Sequence, residues 1–229
     1  MTDQNIILAG LALLSLALPV GWAWWQKRQG EAGINEQWLS VTARFIYGIG
    51  LPYLAVIAGL LPPRFLGLKG LETIMALDLN GASLQKAVAL LLLECLADGG
   101  IVIRLGLAAL LLALGLRWGL ARLGLKPLAS RLSVLEILYD GLHWAFYYAI
   151  FWALTGDLYL GVIGGMLWVL LEGALVAWVQ RDEPTPRLSK AVILILTATI
   201  FFYAPNLWLL WPVHGGLAFI GTRRETGPG

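Results

Sequence analysis

Leu158–Val179 reads LYLGVIGGMLWVLLEGALVAWV, twenty-two residues with a single charge, Glu172. At 1.5 Å per residue such a helix is about 33 Å long, enough to cross the roughly 30 Å hydrocarbon core of a bilayer. Six further apolar stretches surround it, near Asn5–Trp25, Val41–Leu61, Ile101–Leu120, Ser133–Leu154, Leu188–Tyr203 and Asn206–Gly221. Together they predict an all-α, polytopic transmembrane helix bundle of about seven spans. The whole chain agrees: of its 229 residues 59% are hydrophobic and only 13% charged, against about 25% charged in a soluble domain. A soluble enzyme, a disordered chain and a disulfide scaffold are excluded. Cys95 is the only cysteine, so no disulfide can form within the chain.

The rest of the chain is read around these spans. Met1–Gln4 carries no positive charge, and the first apolar run ends in bulky Trp22, Trp24 and Trp25. It therefore reads as a retained helix, not a cleaved signal peptide. Residues 1–61 form two N-terminal spans, and 62–100 form a linker. Within that linker Leu84–Leu96 is apolar for only thirteen residues and is closed by Gly99 and Gly100, which predicts one short interfacial helix. Residues 101–132 hold span three and a loop, and 133–229 a four-span core. Thr155–Asp157 and Ala204–Asn206 are tight turns, the second fixed by Pro205; Asp157 is placed to cap the helix after it.

Lys and Arg set the expected orientation. Twelve of them, including Lys27, Arg28, Arg117, Arg122, Lys190 and Arg224, fall on one side of the seven-span layout. Arg64, Lys69 and Lys86 fall on the other, and Arg104 lies in span three, near enough to its end to snorkel. The positive-inside rule then places the N-terminus outside and the C-terminus in the cytoplasm. The expected location is the bacterial inner (plasma) membrane. No basic run suggests nucleic acid. Gly161-x-x-x-Gly165 and Gly115-x-x-x-Gly119 offer close helix approach, within the bundle or, as glycine-rich faces, to a membrane-protein partner.

Span four breaks the apolar pattern. Glu136, Asp140 and His143 stand at i, i+4 and i+7 and share one helix face. Span five adds Glu172 and span seven His214; Asp140, Glu172 and His214 each lie seven residues from the same membrane side. Ionisable groups in a membrane are costly and mark either a polar fastener between helices or a functional site. Asp140, His143, Glu172 and His214 also offer a carboxylate and imidazole set suited to a divalent metal such as zinc.

Leu135-Glu136-Ile-Leu-Tyr139-Asp140-Gly141-Leu142, Trp168-Val-Leu-Leu-Glu172 and Asn206 through His214 to Ala218 resemble, in that order, the three motifs of the CPBP (CAAX protease and bacteriocin-processing, or Abi) family. Those motifs are Glu-Glu-x-x-x-Arg, Phe-x-x-x-His and His-x-x-x-Asn. The resemblance covers roughly the last hundred residues. It implies an intramembrane endopeptidase in which Glu136 or Glu172 is the base and His214 the electrophilic partner, with Asp140 and His143 beside them. Only Glu136 and His214 keep the family's residue type: Leu135, Asp140, Glu172 and Ala218 replace glutamate, arginine, histidine and asparagine. The substitutions imply reduced or absent hydrolysis, since a lost oxyanion donor costs about 10²–10³ in rate. The readings open at this point are a divergent hydrolase or its catalytically impaired relative, an accessory or scaffold subunit of a larger membrane complex, and a small-solute or proton pathway.

Overall fold

The computed structural model describes residues 3–29, 41–71, 82–122, 133–180 and 184–221. Among these the secondary structure is all helical. There are seven α-helices: α1 Asp3–Gln29, α2 Val41–Ile57, α3 Ala82–Arg122, α4 Val134–Thr155, α5 Leu158–Gln180, α6 Pro184–Tyr203 and α7 Leu207–Gly221. Among the described residues three stretches, Asp3–Arg28, Val88–Gly119 and Leu158–Gln180, are long and apolar enough to cross a membrane.

The helix ends follow local chemistry. Ser133 and Glu136 form a reciprocal capping box at the start of α4. That helix stops at Gly156, whose φ of 71° suits a residue without a Cβ. Asp157 then accepts the Leu160 N–H at 2.9 Å and starts α5, as its position in the sequence predicts. Inside α2 the stretch Ile46–Gly50 widens to a π turn, with the Leu51 N–H bonded to the Ile46 carbonyl. Pro52 explains it: proline has no N–H and its ring crowds the carbonyl four residues back, at Gly48.

One expectation is overturned. Leu84–Leu96 is not a separate short interfacial helix. It is the first part of the 41-residue α3, which runs through Gly99 and Gly100 without a break. A helix glycine costs roughly 1 kcal/mol relative to alanine, too little to end an apolar helix. In the linker Pro63–Leu66 makes one 3-10 turn, and residues 72–81 lie outside the described residues.

The centre of the bundle is α4, buried continuously from His143 to Ile150. Gly161 and Gly165 of α5 lie directly on it; a Cβ at Gly161 would sit 2.7 Å from the Trp152 backbone nitrogen, and one at Gly165 2.7 Å from that of Tyr148. This glycine pair packs within the bundle. Gly115 and Gly119 do not: a Cβ on either would meet no atom of the described residues within 4 Å.

Contacts sort the chain into two ends. At one, Gln4 reaches the Leu60 carbonyl, Phe65 stacks on Trp152 with centroids 4.1 Å apart, and the Leu207 N–H meets the Gly67 carbonyl. There Lys69 and Asn206 both bind Asp98, at 2.7 and 3.0 Å, and Trp208 donates to the Lys69 carbonyl. At the other end Lys27 donates to the Val179 carbonyl, Arg44 pairs with Glu136, and Arg117 donates to the Ile220 carbonyl.

Candidate functional site: a carboxylate held by tyrosine and histidine

Glu172 is the hub of the polar interior. Its Oε2 accepts the Tyr147 hydroxyl at 2.7 Å and faces His143 Nε2 at 3.3 Å. His143 and Tyr147 stand one turn apart on α4, so both meet one carboxylate on α5. An ionised carboxylate can only accept, so it selects the imidazole tautomer with the proton on Nε2; Nδ1 has no partner among the described residues. Tyr47, presented by the π turn, lays its ring on His143 with centroids 4.0 Å apart. Its hydroxyl lies near Glu172 and Tyr147, and Ser15 of α1 lies beside Tyr147. Four helices thus meet at one node, with the Ser15 and Tyr47 hydroxyls buried inside it.

The other expected site residues occupy separate places around α4. Asp140 pairs with Lys190 of α6 at 2.9 Å, and the lysine side chain is half exposed. His214 is buried, stacked on Trp144 with centroids 4.8 Å apart and rings 14° from parallel. Gly141 makes that approach possible: a Cβ there would lie 2.7 Å from Trp211 Nε1 and 3.6 Å from His214 Nδ1. Beside Glu172, a Cβ at Gly173 would meet no atom within 4 Å among the described residues.

Glu136 does not join the node. Its Oε2 accepts the Ser133 backbone N–H at 2.8 Å and its Oε1 pairs with Arg44 at 3.3 Å. It lies seven residues, about 10 Å along the helix, from His143. Its role is that of a helix cap. Ser133→Ala is expected to cost about 1 kcal/mol of stability, the ordinary worth of a cap; thermal unfolding of the variant in detergent checks it.

The expected set is therefore split. The structure joins His143 to Glu172, and places Asp140, His214 and Glu136 in three other partnerships. Among the described residues no three His, Cys, Asp or Glu side chains converge as a metal group, so the four-ligand set expected from Asp140, His143, Glu172 and His214 is not assembled. Sequence reasoning missed Tyr47, Ser15 and Lys190. The Tyr47 signal was Gly-Ile-Gly-Leu-Pro following it in an apolar run; Ser15 and Lys190 carried none. No protein family, curated protein or solved structure matches the chain.

Proposed function

We propose that this chain is a seven-span integral membrane protein with a CPBP-like core that works without peptide hydrolysis, as an accessory subunit of a membrane-protein complex. The observation that carries it is that both carboxylates the resemblance would offer as a base serve as ties between helix segments. Glu136 caps α4 and pairs with Arg44, and Glu172 is held by Tyr147 and His143. A general base in a hydrolytic site is aimed at a bound water; here the contacts of Glu136 and Glu172 tie neighbouring helix segments together instead. The membrane reading is supported by the three long apolar stretches and by bulky residues facing outward, among them Leu96, Leu111, Trp178 and Phe219. The charge distribution supports an N-terminus outside and a cytoplasmic C-terminus in a bacterial inner membrane.

The test is purification of wild type and a Glu136→Gln/Glu172→Gln variant from membranes in mild detergent. The expected result is a membrane protein copurifying at fixed stoichiometry with both. Cleavage of a prenylated CAAX peptide by wild type and not by the variant would overturn the proposal, as would stoichiometric zinc lost with the two carboxylates.

A further inference from the structure

Arg104 stands at the middle of the long apolar stretch of α3, sixteen residues from Val88 and fifteen from Gly119. Its side chain is exposed on the outward surface, and no hydrogen bond or ion pair holds it among the described residues. Asp98 meets Asn206 at one end of the bundle and Arg117 meets Ile220 at the other. Between those levels Arg104 lies about 9 Å inside the first.

The surface around it is built like half of a helix pair. Gly100, Arg104, Leu107, Leu111, Leu114 and Trp118 follow one another at alternating steps of four and three, and all are exposed. That is the seam of two helices packed side by side. Among the described residues no atom lies within 4 Å of where a Gly100 Cβ would be, which leaves room for close approach beside the guanidinium.

We propose that this face of α3 binds a transmembrane helix of a different protein, one with a carboxylate at the depth of Arg104. The inference rests on the membrane reading above. A second copy does not suit the face. Symmetric pairing would set Arg104 against Arg104, and Glu94, exposed on the same helix, is ten residues or about 15 Å away. Glu136, Asp140 and Glu172 are already paired. An unpaired cation amid apolar side chains selects an anion through charge complementarity, and the seam selects a helix to carry it.

The experiment uses the full chain reconstituted in phosphatidylcholine vesicles with dansyl-labelled leucine/alanine transmembrane peptides bearing Glu or Leu at the centre. Association is read as energy transfer from the tryptophans. The expected result is about ten-fold tighter association of the Glu peptide, lost in Arg104→Leu and partly kept in Arg104→Lys. Because Arg104 faces outward, its replacement leaves the bundle folded. Equal association of the two peptides, or a Glu preference that survives Arg104→Leu, overturns the docking site. So does an Arg104-dependent effect seen only with added phosphatidylglycerol, which would make lipid phosphate the counter-ion. Failure of the chain to float with the vesicles overturns the membrane reading itself.

Discussion

Gly165→Val is expected to separate α5 from α4 and to lower stability by about 3 kcal/mol, the upper range for overpacking. A Cβ at Gly165 would lie 2.7 Å from the Tyr148 nitrogen and 2.8 Å from the Tyr147 carbonyl carbon. Both belong to helix backbone, which has no rotamer to adopt, so the helices must part. A graded alanine series checks the argument. Gly161→Ala meets the Trp152 backbone and is expected to match Gly165→Ala. Gly164→Ala meets the Phe151 ring, which can swing aside, and is expected to cost less. Gly173→Ala meets nothing and is expected to be neutral or mildly stabilising through helix propensity. Thermal midpoints in one detergent give the order; equal midpoints for Gly165→Ala and Gly173→Ala would refute it.

Glu172→Leu is the second large effect. It strands the Tyr147 hydroxyl and the His143 Nε2 proton in a buried site, at about 1–3 kcal/mol for each unsatisfied group. Glu172→Gln keeps an acceptor oxygen and is expected to cost less. Adding Tyr147→Phe to Glu172→Leu is expected to recover part of the loss, because one stranded donor disappears. A double-mutant cycle between Tyr147 and Glu172 should return a coupling of about 1–2 kcal/mol. Strict additivity would mean that the 2.7 Å contact does not hold the helices together.

Much of the architecture was legible because it depends on counting. Apolar run length located α1, α2 and α4 to α7, and Pro205 and Gly156 marked the two tight turns. Gly99 and Gly100 misled because glycine looks like punctuation in sequence, whereas a long apolar helix absorbs two of them. The polar interior was legible only as residue types. Spacing put Glu136, Asp140 and His143 on one face of α4, but it carries no information about which neighbour each turn of that face meets. Asp140 meets α6, His143 meets α5, and Glu136 turns back to its own N-terminus. The last was visible as Ser133-x-x-Glu136, a capping signature that the family resemblance overshadowed. Tyr47 depended on a π turn, whose register shift no periodicity count contains.

The contacts of α1 with α5 have a consequence for biosynthesis. Trp168 donates to the Ala12 carbonyl across 156 residues, and Lys27 donates to the Val179 carbonyl across 152. At about 5–20 residues per second, the ribosome needs roughly 8–30 s to make the partners of the first helix after that helix has emerged. During that interval α1 waits with Ala12 and Ser15 not yet covered by the helices that bury them. Variants there are expected to show as nascent chains lost to quality control, with the completed protein, once assembled, melting much as before.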